Sequence, residues 1–388
     1  MNDFLINTTT AGIQSNPSVA ALGTSLYFVV WSDTSDAAIK GRLFRTDGTP
    51  ATGEFPVSEP DPAAPNTLRE QPVIAANPLT GAFVAWVERP SSIPGPRPHV
   101  KMRRFDRDGH PLGGVEQISS ADIDPESGPA VTHLIDAGFL VAWVNAAPDR
   151  RILARRYAFD GTPQGPEFPV SATTGFHTGP FAARLDGNCV IGWRSDPSLL
   201  AGGAITLRVL TFDGAAVTGE TVPRLSGFAG GGKAVAALPN EQFVIAHERV
   251  SPDRSRTSVE TNVLAKDGDL AEPGVPACSG PGLSCTDPAL APLAGSCFLA
   301  AWVQKDAATG EGHAVMAKVI STTHGSLDAP MQLSAQDPGE RFDVAAATVP
   351  DPAAGQSAFI AWTDLSATDT GPCVRGRVLR IPDEGPPA

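Results

Sequence analysis

Short apolar runs that end in tryptophan recur at nearly even spacing along the chain. They are Phe28–Trp31, Phe83–Trp86, Phe139–Trp143, Cys189–Trp193, Phe243–His247, Phe298–Trp302 and Phe359–Trp362, with histidine closing the fifth. The closing residues follow one another at steps of 55, 57, 50, 54, 55 and 60. A period of that size, carried by strands rather than helices, is the mark of a propeller array. All six tryptophans of the chain occupy this slot.

Each repeat resolves into four extended segments. The first is small and apolar, as in Pro17–Ala21, Pro72–Ala76, Lys233–Ala237 and Asp343–Ala347. Alanine is a poor strand former, so its recurrence needs a cause. Innermost strands converge on a propeller's axis, where only small side chains fit. The tryptophan strand comes second. The third carries a basic residue in register (Arg42, Arg103, Arg155, Arg208, Lys318 and Arg377), replaced by Asn262 in the fifth repeat. Asp-Gly pairs such as Asp47-Gly48, Asp108-Gly109 and Asp160-Gly161 follow. They suit a hairpin that reverses with positive φ. The fourth segment, Phe55–Ser58 or Phe168–Ser171, contains a proline and suits an outer edge.

No fourth segment follows Leu379, whereas Phe4–Asn7 resembles one and precedes the first alanine-rich strand. The N-terminal strand is therefore expected to close the last blade. The fold expected is all-β, a single seven-bladed β-propeller of four-stranded blades over residues 1–388. Its blades fall near 16–58, 71–119, 128–171, 179–226, 232–279, 287–334 and 341–380, and residues 1–7 give the outer strand of the seventh.

The Phe-Val-Ala-Trp strand, the Arg-x-Phe-x-x-Asp-Gly hairpin and the Phe-x-Val-Ser strand together resemble repeats of bacterial seven-bladed propeller proteins, many of them surface-associated. The resemblance covers the whole chain and implies the fold. It implies no activity, because propellers host lectins, scaffolds and enzymes alike.

Composition narrows the partners. The net charge of −13 repels phosphate backbones, so no nucleic-acid partner is expected. No apolar run is long enough to insert in a membrane. Met1–Asn7 lacks the basic region and apolar core of a leader. The location expected is cytoplasmic as the sequence stands, or secreted or surface-displayed where a leader has been removed. Cys278 and Cys285 are close enough to bridge, conditional on export. With five cysteines at least one thiol stays free.

No reaction is legible in the motifs. A basic residue in nearly every blade serves something every blade needs, such as a cation–π contact or a turn hydrogen bond. The acids of Asp106–Gly109 alternate only twice, short of a calcium loop. The seven histidines show no metal-ligand spacing, and His247 is most simply a core substitution. No nucleophile elbow or dinucleotide fingerprint occurs. A carboxylate pair assembled from different blades would be invisible at this level. No metal, cofactor or catalytic residue is assigned, and no enzyme is expected.

Function should lie where the repeats disagree. The connections after the tryptophan strands and those between blades vary most, and in a four-stranded meander both emerge on one rim. The expectation is a non-catalytic module presenting this rim to a protein partner, with a glycan-binding lectin as the alternative. Its candidate binding residues are Arg69, Glu70, Phe176, His177, Arg194, Arg254, Arg256, Lys305 and Arg341.

Overall fold

The computed structural model describes residues 3–59, 67–91, 97–134, 138–146, 148–196, 203–223, 225, 228–323, 325–327, 329–351, 355–366 and 371–382. Across them the chain forms seven antiparallel sheets, one per repeat, arranged as a seven-bladed β-propeller. Blade 1 sets the pattern, with strands Gln14–Leu22, Leu26–Asp33, Ala38–Arg45 and Phe55–Pro56 paired in chain order. Among the described residues, blade 4 fills its outer position through the bridges Leu207–Thr221 and Leu210–Ala216. In blade 6 the third strand, Ala314–Ser321, pairs with two short pieces, Gly325–Ser326 and Met331–Gln332.

Phe4–Leu5 pairs with Cys373–Ile381 and is the outer strand of blade 7, so the ring closes with its first residues. Ile6 donates its N–H to Val374 O at 2.8 Å, and its side chain is fully buried. Closure removes the edges that an open sheet would leave unpaired.

The tryptophans explain why blades stick together. Each of the six is buried and packs toward the blade before it, as Trp31 does beside Phe359 and Val378 of blade 7. In blade 5 the slot holds His247, whose ring lies 3.4 Å from the amide of Asn262. The blade that lacks the tryptophan also lacks the third-strand base, and the two replacements touch.

That third-strand base is a stitch. Arg42, Arg103 and Arg208 reach the outer strand of the preceding blade, donating to Ile6 O at 2.9 Å, Val57 O at 3.2 Å and Val170 O at 2.6 Å. Arg42, Arg103 and Arg155 also lie over the ring two residues ahead, at 5.4, 6.0 and 5.7 Å from the centroid. The serine that ends Phe-x-Val-Ser has its own task. Ser58, Ser119, Ser171 and Ser334 accept the N–H of Ile39, Val100, Ile152 and Val315 with their side-chain oxygens. Asn7 does the same for Val374 N at 2.8 Å.

Among the described residues no helix is long and apolar enough to cross a membrane. Cys278 and Cys285 are joined as a disulfide, and Cys189, Cys297 and Cys373 are outside it.

Candidate functional site

The innermost strands touch one another around the axis. Six of them carry a bulge near the end where the chain arrives from the previous blade. The register shifts fall at Ser15/Ser18, Glu70/Val73, Thr178/Phe181, Ala229/Lys233, Thr286/Ala289 and Phe342/Ala345. A bulge adds one residue to a strand and re-aims its side chain. Asn16, Gln71, Asp287 and Asp343 sit in these bulges with φ of 53°, 54°, 52° and 56°. That left-handed conformation costs a non-glycine residue about 1–2 kcal/mol and persists only where its surroundings hold it.

Neighbouring blades do the holding. Asp287 in blade 6 donates its N–H to Glu248 Oε1 of blade 5 at 2.9 Å. Asn16 in blade 1 donates its N–H and its amide to Asp343 Oδ2 of blade 7, at 3.2 and 3.1 Å. Thr363 Oγ1 donates to the same oxygen at 3.0 Å. In blade 4 the corresponding N–H, that of Gly179, goes to Ser127 Oγ of blade 3 at 2.6 Å. This bulged end of the innermost strands, the axial mouth, thus gathers residues of several blades, and with Glu248 three of them are acids.

Those acids are not equivalent. Burial first, and then the charges of Glu248 and Asp343, push the Asp287 carboxyl up to about 7, against a hydroxyl bond from Thr286 and the field of Lys305. Like charges gathered in a poorly hydrated place favour the protonated form. Burial also raises Asp343, but the bonds from Thr363 and Asn16 oppose that shift by stabilising its anion. One group is thereby suited to hold a proton near neutral pH, and the other is stocked with donors for a negative charge.

The residues singled out in the sequence lie elsewhere on this rim, Lys305 excepted. Arg69, His177 and Arg341 are buried at 6, 1 and 1% exposure. They share one slot on the innermost strand, each paired across to the residue two past the tryptophan. Arg69 bonds Glu88 at 3.0 Å, His177 bonds Ser195 at 3.1 Å and Arg341 bonds Asp364 at 3.0 Å. Glu70 is bound twice by Arg89, at 2.7 and 3.2 Å. Arg194 faces Asp196 at 3.6 Å. Phe176 is 40% exposed, with the Arg150 guanidinium 5.1 Å from its ring centroid. Arg254 and Arg256 are exposed on the hairpin after His247, Arg256 donating to Gly280 O at 3.4 Å. Parts of the connections near 59–70, 89–99 and 194–200 lie outside the described residues.

Asp287 and Asp343 went unnoticed in the sequence, although a signal was present. Asn16-Pro17, Gln71-Pro72, Gly128-Pro129, Gly179-Pro180 and Asp287-Pro288 all fall at the start of an alanine-rich strand. In four of these, Gly128 excepted, the residue before the proline occupies the bulge slot, and its identity changes from blade to blade; Asp343 holds the same slot ahead of Val344. Asp106, Asp108 and His110 also come close enough to share an ion. Their bonds are those of the hairpin itself: Asp106 Oδ1 accepts the N–H of Asp108 at 2.9 Å and of His110 at 2.8 Å.

No family model matches the sequence, and no curated protein matches it. Solved structures do superpose on it. A protein of unknown function from Dyadobacter fermentans does so with a TM-score of 0.55 and 10% identity, covering 98% of both chains. The α-L-arabinanase of Penicillium chrysogenum, solved with arabinobiose, scores 0.53 at 12% identity and covers 97% of this chain and 98% of its own. An α-L-arabinofuranosidase of Fusarium graminearum, solved with an iminosugar inhibitor, scores 0.52 at 12% identity and covers 98% of both. At such identities the likeness is one of fold.

These findings correct two expectations. The non-catalytic protein-binding module and the absence of enzyme activity are both set aside, because whole-chain counterparts of this propeller are enzymes acting on carbohydrate. The protein partner goes with them. Variation among loops is a poor guide in this chain, because acids that differ between blades sit inside the strands.

Proposed function

We propose that the chain is a carbohydrate-active propeller that hydrolyses a glycosidic bond at its axial mouth. One observation carries this reading: two half-buried carboxyl groups from adjacent blades, Asp287 and Asp343, are both raised by burial, Asp287 further by neighbouring acids, while Asp343 is bonded by Asn16 and Thr363 in a way that favours its anion. Glycoside hydrolysis needs such a pair, one acid to protonate the departing oxygen and one carboxylate to activate water or attack the anomeric carbon. Asp287 takes the acid's role and Asp343 the carboxylate's. Glu248 is a positioning residue, acting through the bond to the Asp287 N–H. The enzymes that share the fold support the substrate class.

The mouth contacts sugar through amides and carboxyls rather than aromatic faces, since all six tryptophans are buried in the blades. The test is release of reducing ends from a panel of polysaccharides that includes arabinan. Asp287→Asn and Asp343→Asn are each expected to lower turnover by at least about a hundredfold. Wild-type turnover should fall as pH rises through about 7, where Asp287 loses its proton. Variants that turn over at the wild-type rate would refute the assignment.

A further inference from the structure

We infer that the axial mouth takes a neutral saccharide and excludes sugars bearing carboxylate or sulfate; this rests on the carbohydrate reading of the same site. Recognition of an anionic sugar calls for cations free to bond it, above all arginine, whose planar fork matches a carboxylate. Among the described residues, the arginines at this end of the innermost strands and of the strands beside them are already engaged by carboxylates, and Arg254 and Arg256 stand apart, exposed on the hairpin after His247. Arg69 is held by Glu88 at 3.0 Å, Arg194 by Asp196 at 3.6 Å, and Arg341 by Asp364 at 3.0 Å as well as by Asp337. Arg249, in a cleft of about 530 Å³ between blades 5 and 6, is held by Glu260 at 2.6 Å.

Arg69 and Arg341 are buried as well, so releasing either would strand its partner's charge without water. At the mouth itself the balance is acidic. The charges of Glu248 and Asp343 both act on Asp287 there, and Lys305 is the cation whose field reaches it. An incoming carboxylate would meet at least two acids there, with Lys305 as the described cation that acts on Asp287. A neutral sugar meets the same groups as hydrogen-bond partners: hydroxyls can donate to Asp343 and accept from the amides of Asn16 and Gln71. The net charge of −13 repels an anionic chain before contact, over a distance that salt shortens.

Calorimetry with paired probes decides the matter. Arabino- and xylo-oligosaccharides are titrated against oligogalacturonides and sialyllactose, at low salt and at about 0.5 M salt. The expected result is binding of a neutral oligosaccharide at least about tenfold tighter than any acidic one. That gap should narrow in high salt, and in Asp343→Asn, where one repelling charge is gone. Acidic oligosaccharides bound as tightly as neutral ones would overturn the inference while leaving the carbohydrate reading intact. If neither class is bound or cleaved, the carbohydrate reading itself falls, and this inference with it.

Discussion

Trp302 and Asp287 lie on neighbouring strands of blade 6, and both face blade 5. Trp302 is fully buried among Val244, Val259 and Phe298. Asp287 stands at the rim in a left-handed bulge, bonded to Glu248 and crowded by its charge. The tryptophan makes the contact that six of the seven interfaces make. The aspartate makes one that raises the energy of its own anion. A residue of the first kind is kept for stability. A residue of the second kind, strained in backbone and charge alike, is expected where the strain serves a task.

Breaking the tryptophan side of the comparison should have the larger effect. Trp302→Ala is expected to destabilise the fold by about 3–5 kcal/mol, the range for deleting a large buried aromatic. Chemical denaturation measures it directly. A loss under about 1 kcal/mol would mean that the blades are held by something other than these contacts.

The aspartate should respond in the opposite direction. Its carboxyl ionises near 3.8 when unfolded and near 7 when folded. Between those values the folded chain holds a proton that the unfolded chain has lost, so stability declines as pH rises from about 4 to 7. Above 7 the whole penalty is present. Asp287→Asn removes the ionisation and should raise stability at pH 8 by about 2–4 kcal/mol, a figure discounted for the solvent that reaches the rim. At pH 4 the gain should nearly vanish. Equal gains at both values would show that Asp287 is not crowded by charge, and the acid role would lose its basis.

What the chain discloses on reading follows the same division. The repeated residues made the architecture legible: Trp31 to Trp362 set the period, the Asp-Gly turns placed the hairpins, and Phe4–Asn7 closed the ring. The proposed site was not legible in that way, because no two of its acids are near in sequence. Glu248, Asp287 and Asp343 belong to three consecutive blades and meet only when those blades stack. Charge and variability drew attention instead to Arg69, His177 and Arg341. Those side chains fill a buried slot whose partners, Glu88, Ser195 and Asp364, lie about twenty residues onward. A variable residue is a sign of function only if it reaches solvent, and the side of a strand on which it emerges depends on a bulge that the apolar pattern does not announce.

The smallest effects test whether repetition itself marks a structural role. Arg103 recurs in register and donates to Val57 O at 3.2 Å in a buried setting, while Arg256 has no counterpart in the other blades and is exposed. Removing a charged donor leaves the Val57 carbonyl buried without that bond, so Arg103→Met is expected to cost about 1.5–3 kcal/mol. Methionine keeps much of the aliphatic length, which separates the lost bond from lost packing. Arg256→Met should stay within about 0.5 kcal/mol, as surface changes do. Thermal melts of both variants, at low and high salt, compare them on one scale. The bond to Val57 O is little screened, whereas the pair with the exposed Glu59 is, so the larger part of the Arg103 loss should persist in salt. If the two variants melt alike, recurrence in register says nothing about stability, and the contrast between Trp302 and Asp287 would have to rest on burial alone.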